Sequence, residues 1–92
     1  MSVNFYFDGA VKSIGFSNSE GDVSTGVMLP GSYEFNTTKD EKMVVTSGKL
    51  QISFPDGTAG GEYSTGHEFY VAAGQSFQVV ASEATAYLCF YK

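Results

Sequence analysis

Apolar side chains in this chain recur at every second position, in short runs, and no stretch keeps a helical spacing for two turns. Phe5 and Phe7 flank Tyr6, and Leu50, Ile52 and Phe54 alternate with Lys49, Gln51 and Ser53. Phe77, Val79 and Ala81 alternate with Gln78, Val80 and Ser82, and Tyr87, Cys89 and Tyr91 with Leu88 and Phe90. Aromatic and β-branched residues at period two suit a pleated strand. Turn signals separate the runs: Asp8-Gly9, Glu20-Gly21-Asp22, Pro30-Gly31, Ser47-Gly48, Pro55-Asp56-Gly57, Gly60-Gly61 and Ala73-Gly74. The pattern predicts strands near 3–7, 11–17, 23–29, 32–36, 42–46, 48–54, 62–64, 67–71, 75–81 and 84–91, with one helical turn allowed over 38–42. The 11 glycines fit such a turn-rich chain. The expectation is an all-β fold with one closed or double-sheet core.

The 92 residues are read as a single domain, 1–92. Size scaling predicts a folded surface of roughly 5,200 Å², about 64% of the open chain's surface being buried. Five lysines, no arginine and ten acids give a net charge of −5. This balance argues against a nucleic-acid polymer as partner, because phosphate backbones are held by clustered Lys and Arg. The only cysteine, Cys89, excludes an internal disulfide and any multi-cysteine zinc site. Apolar runs of only a few residues predict no membrane span. No basic stretch followed by an apolar block opens the chain, so a cytoplasmic location is expected.

Familiar catalytic constellations are missing. His67 is the single histidine and reads as a surface or hydrogen-bonded residue. Asp40 and Glu41 are adjacent, so strand geometry would point them to opposite faces rather than into one cation site. Cys89 sits in the apolar run Tyr87-Leu88-Cys89-Phe90-Tyr91, where burial would raise its thiol pKa and keep it inert. There is no Gly-x-Ser-x-Gly elbow and no phosphate loop ending in Lys-Ser/Thr. Asp56-Gly57 and Gly60-Gly61 read as a hairpin turn that offers at most a backbone nest for phosphate.

A longer-range spacing is more informative. Glu41, six residues and Gly48 are followed later by Gly66, five residues, Ala72, one residue, Gly74, two residues and Phe77. This order resembles the two cupin signatures, with Ala72 at the proline position and Phe77 at the second-motif histidine position. The two first-motif histidine positions fall on Phe35 and Thr37, or on Glu34 and Asn36 if the spacer is one residue longer. Tyr33, Phe35 and Thr37 share one strand face, and the aromatic face is expected inside. The resemblance keeps the scaffold glycines and one glutamate but none of the histidine ligands, so no metal is expected. The fold expectation becomes a cupin-like double-stranded β-helix, a jelly-roll barrel.

A more specific likeness spans nearly the whole chain. Val11-Lys12-Ser13-Ile14-Gly15-Phe16, Gly26-Val27-Met28 with Pro30-Gly31-x-Tyr33-x-Phe35, and Tyr87-Leu88-Cys89-x-Tyr91 resemble the small cupin-type pyrimidine/purine nucleoside phosphorylases. The resemblance implies reversible, metal-free phosphorolysis of purine and pyrimidine nucleosides to free base and ribose 1-phosphate. Inorganic phosphate would be co-substrate, and no cofactor would be needed.

Such a reaction passes through an oxocarbenium-like sugar and needs an anion cradle and a face that stabilises positive charge. Without arginine, phosphate must be held by lysine, hydroxyls or backbone N–H groups. Lys12 with Ser13 is the first candidate, against a solvated strand-edge lysine as the alternative. Thr37 could add a hydroxyl or simply pack in its strand. Glu41 is the catalytic candidate, stabilising ribose charge, or else a turn carboxylate on the approach to Gly48. Tyr33, Phe35, Phe77 and Tyr87 could stack on a base or fill a small barrel. Met28 and Met43 belong to the core or pocket wall. Two other readings remain: a non-catalytic small-molecule-binding module on a metal-free cupin barrel, and an interaction domain. Exposed edge strands make a homodimer expected under all three.

Overall fold

The computed structural model describes residues 1–55, 57 and 60–92. Among these residues ten strands form: β1 Ser2–Tyr6, β2 Val11–Asn18, β3 Gly21–Met28, β4 Gly31–Asn36, β5 Glu41–Ser47, β6 Lys49–Ser53, β7 Gly61–Ser64, β8 Glu68–Val71, β9 Ser76–Ala81 and β10 Thr85–Tyr91. They build two sheets, one ordered β1-β2-β3-β10-β5-β8 and the other β4-β9-β6-β7. Every recorded pairing is antiparallel. From β3 onward the chain crosses repeatedly between the sheets, as a jelly roll does. The accessible surface is 5259 Å², in line with size scaling.

The alternation decides which side chains meet. In β9, Phe77, Val79 and Ala81 are buried, while Gln78 and Val80 are exposed. In β6, Leu50 and Ile52 are buried between exposed Lys49, Gln51 and Ser53. These join Tyr33, Val45, Phe69 and Val71 in one core cluster between the sheets. At Gly48 φ is +110° and a Cβ would stand 2.5 Å from Thr85 Oγ1, so the β5–β6 turn requires glycine there.

Two local expectations change. The segment 38–42 forms no helical turn; Thr37 instead exchanges backbone hydrogen bonds with Gln75 and Gly74, at 2.8 and 3.0 Å, and Glu41 already begins β5. The one helical turn among the described residues is a 3-10 turn at Phe7–Gly9. There Phe7 and Asp8 take φ of 52° and 56°, ending β1 at Tyr6 rather than at residue 7. Asp56 lies outside the described residues, so a nest in the 55–60 turn does too; Gly57 N–H donates to Phe54 O at 3.2 Å.

Candidate active site

A cavity of about 170 Å³ lies between the sheets, and β2, β3, β4, β5, β9 and β10 supply most of its wall. Its apolar lining is Met28, Phe35, Met43 and Phe77, with the Phe35 and Phe77 rings stacked at 5.8 Å. Tyr6, Ser13, Ser24, Tyr87, Cys89, Tyr91 and Glu41 add polar groups to the wall. Tyr6, Ser13, Ser24 and Tyr91 also line an open cleft of about 800 Å³ that contains Lys39. These four side chains form a hydroxyl-rich neck common to the cavity and the cleft. Glu41 also lines a separate cleft of about 490 Å³ with Asp40, Tyr70, Gln75 and Lys92.

Strand register explains the convergence. Glu41 opens β5 opposite Tyr91 of β10, and Cys89 stands two residues further along the same inner face. The Cys89 thiol donates to Glu41 Oε1 at 3.4 Å. Tyr91 and Ser24 share a hydroxyl–hydroxyl hydrogen bond of 2.9 Å. Burial pushes the Glu41 carboxyl up from its ordinary value, and the Cys89 hydrogen bond opposes that shift. Burial, followed by the nearby Glu41 charge, pushes the Cys89 thiol up to about 12, so it stays protonated and inert. Burial likewise raises Tyr87 to about 12 and raises Tyr91. All three remain hydrogen-bond donors near neutral pH.

Of the candidate residues, the structure brings Ser13, Phe35, Glu41, Phe77 and Tyr87 into this one cavity. It does not bring Lys12, Tyr33 or Thr37 there. Lys12 directly precedes Ser13, and strand alternation sends it to the outer face, its Nζ 5.7 Å from the Phe5 ring centroid. Tyr33 donates its hydroxyl to Leu29 O at 2.6 Å and packs on Phe7 at 4.9 Å, within the core. Thr37 lies past the end of β4; its hydroxyl donates to Ala72 O at 2.7 Å and accepts from Gln75 N–H at 3.0 Å. Asn36 lines the cavity although the alternation pointed it outward, while Glu34 is exposed and accepts from Gln78 Nε2 at 3.0 Å. His67 is exposed, its ring nitrogen 3.3 Å from Ser64 Oγ.

Sequence reasoning passed over Ser24, Tyr91 and Tyr6. The signal for the first two was parity. Ser24 shares the inward face of β3 with Gly26 and Met28, and Tyr91 that of β10 with Tyr87 and Cys89. The metal positions of the cupin pattern, in the favoured register, are filled by Phe35, Thr37, Glu41 and Phe77, and only Glu41 offers a good ligand. The residues do not fit a cupin metal centre, and among the described residues no three His, Cys, Asp or Glu side chains gather.

Two facing antiparallel sheets around a partly polar cavity define a cupin-type barrel. A cupin superfamily protein from Desulfitobacterium hafniense superposes with a TM-score of 0.69, at 16% identity over 86% of this chain and 73% of its own, a likeness of fold alone. A protein of unknown function from Vibrio parahaemolyticus superposes far better, with a TM-score of 0.91 at 46% identity over 99% of this chain and 97% of its own. The family model for pyrimidine/purine nucleoside phosphorylase matches residues 1–91, and the chain belongs to that family. A relative bearing that name in Rhodopirellula baltica is 52% identical, covering 99% of both chains.

Proposed function

We propose that this protein is a nucleoside phosphorylase that splits purine and pyrimidine nucleosides with inorganic phosphate, without a metal. The supporting observation is the cavity itself: a half-buried carboxyl, stacked rings and buried hydroxyls share one space. A phosphate oxygen forms a bond to the anomeric carbon while the N-glycosidic bond breaks. Its electron pair passes to the base nitrogen, which takes up a proton, and the products are free base and ribose 1-phosphate. The phosphate is the nucleophile, so no activated Ser or Cys is needed; Cys89, held protonated by burial, is consistent with this.

Glu41 is the catalytic residue in this reading. Its carboxylate stabilises the oxocarbenium-like sugar, and a water-poor site strengthens that interaction. Phe35, Phe77 and Tyr87 offer ring faces to the base, a contact that accepts any base because each has a π face. Breadth toward purines and pyrimidines follows from stacking rather than from hydrogen-bond readout. The donor set argues for a metal-free reaction, since one carboxylate among two phenylalanines and a backbone-bonded threonine is a poor metal site.

We also propose a homodimer, formed through the outer face of β1–β2–β3, where Val3, Phe5, Ile14 and Val27 are exposed together. A solution mass of one chain would refute it.

The deciding experiment incubates chelator-treated protein with uridine or adenosine, with and without phosphate. Phosphate-dependent release of base is the expected result. Release without phosphate would mean a hydrolase, and tight nucleoside binding without release would mean a binding module.

A further inference from the structure

Three neighbouring strands carry an unusual inner pattern at the neck of the cavity. Along β2, β3 and β10 the cross-strand row Ser13–Gly26–Tyr87 is followed by the row Gly15–Ser24–Cys89, with Tyr91 beyond. Each row sets a glycine beside a serine. A Cβ at Gly26 would stand 2.6 Å from the Tyr87 hydroxyl, and one at Gly15 would stand 2.8 Å from Ser2 Oγ. Tyr87 therefore packs its hydroxyl against bare backbone at Gly26, and Ser13, Ser24 and Tyr91 line the same cavity with it. Ser13 and Ser24 are only 5% and 6% exposed, although both line the cavity and the cleft outside it. Ser24 shares a hydrogen bond with the Tyr91 hydroxyl at 2.9 Å, and Ser13 stands across Gly26 from Tyr87.

Buried hydroxyls on an inward face are costly unless they serve one another or a ligand. A hydroxyl hydrogen rotates, so each of these groups can turn an O–H toward an anion without moving a heavy atom. We propose that the stretch of cavity wall formed by Ser13, Ser24, Tyr87 and Tyr91 is an oxyanion subsite that takes inorganic phosphate. This inference rests on the phosphorylase reading and gives that reading its phosphate position.

The charge layout fits a tetrahedral oxyanion. Neutral donors hold the ligand at the neck, while Lys39, the one lysine lining the outer cleft, supplies attraction from the solvent side. In the free protein Lys39 lies 3.9 Å from Asp22 in an exposed ion pair, which a phosphate can replace at small cost. Lys12 takes no part, because its side chain lies on the outer face with Phe5.

The test uses Ser13→Ala, Ser24→Ala and the double variant, with Lys12→Gln alongside. In the phosphorolysis assay each serine variant is expected to raise the KM for phosphate about tenfold or more, the loss expected for a hydrogen bond to a charged group. The nucleoside KM should move little. Phosphate binding without nucleoside, followed by phosphorus NMR, should weaken in the same order. Unchanged phosphate KM and binding in the folded serine variants would overturn the subsite, as would a tenfold effect of Lys12→Gln instead. If the wild type binds phosphate through these serines yet releases no base, the phosphorylase reading fails and the subsite stands.

Discussion

The two sheets handle the same alternation in opposite ways. In β4-β9-β6 the inward residues are apolar, including Tyr33, Phe77, Val79, Leu50 and Ile52, and polar Glu34, Gln78 and Gln51 face out. This is the ordinary division for a sheet with one solvated face. In β1–β2–β3 the inward face carries Ser13, Ser24 and two glycines, while Phe5, Val3, Val27 and Ile14 are 64%, 59%, 46% and 40% exposed outside. The small sheet packs its inward face into the core, with Phe35 and Phe77 also walling the cavity. The larger sheet departs from that rule on both faces of one region, which is what a ligand cavity inside and a protein contact outside would require.

The comparison is broken most sharply at Glu41, the one carboxyl in the cavity wall among the described residues. Glu41→Gln removes the charge with little change of shape, and base release should fall about 100-fold. The same variant should gain stability near neutral pH. Burial raises the folded carboxyl's pKa, so its favourable contribution is complete below the unfolded value and is lost as pH rises through the folded one. Melting scans should show Glu41→Gln above the wild type at neutral pH, with the gap closing in acid. A loss of activity together with a loss of stability would place Glu41 among the structural residues instead.

Two substitutions contrast the sheets directly. Phe77→Ala empties a core position that is only 2% exposed and should cost about 3–5 kcal/mol in urea unfolding. Gly26→Ala does the reverse on the larger sheet, pushing a methyl against the Tyr87 hydroxyl and the Lys12 backbone carbonyl. Overpacking there should cost about 1–3 kcal/mol and should also raise the phosphate KM. If Gly26→Ala loses stability while keeping its phosphate KM, the close approach of Tyr87 to Gly26 is only a packing feature.

The strands were legible because their alternation is strict, and β9 and β6 needed nothing else. The same alternation placed Phe35, Phe77 and Tyr87 inside. It failed at Thr37 because β4 ends at Asn36 and backbone pairing with Gln75 and Gly74 takes over. Tyr33 faces inward as its parity requires, but its phenol is satisfied by Leu29 O, a bond formed across a tight connection that no periodicity encodes. Ser24 and Tyr91 were readable by parity yet overlooked, because a serine or tyrosine carries a signal only once its cross-strand partner is known. Register between distant strands is what the structure adds.

The smallest expected effect falls on Lys12, and it tests that lesson on one residue. A basic residue next to a cavity serine invites a phosphate role, yet adjacent strand residues face opposite ways. Lys12 stands over Phe5, in an apolar groove with Val27 and Ile14, on the face proposed to pair two copies. Lys12→Gln should therefore leave the phosphate KM within about twofold, as for a residue outside the site. The dimer should respond instead, because the lysine's methylene stem covers apolar surface and its charge is held against a ring. Sedimentation at graded protein and salt concentrations would read that change. A phosphate defect with an unaltered dimer would mean that the outer face, rather than the hydroxyl neck, meets the anion.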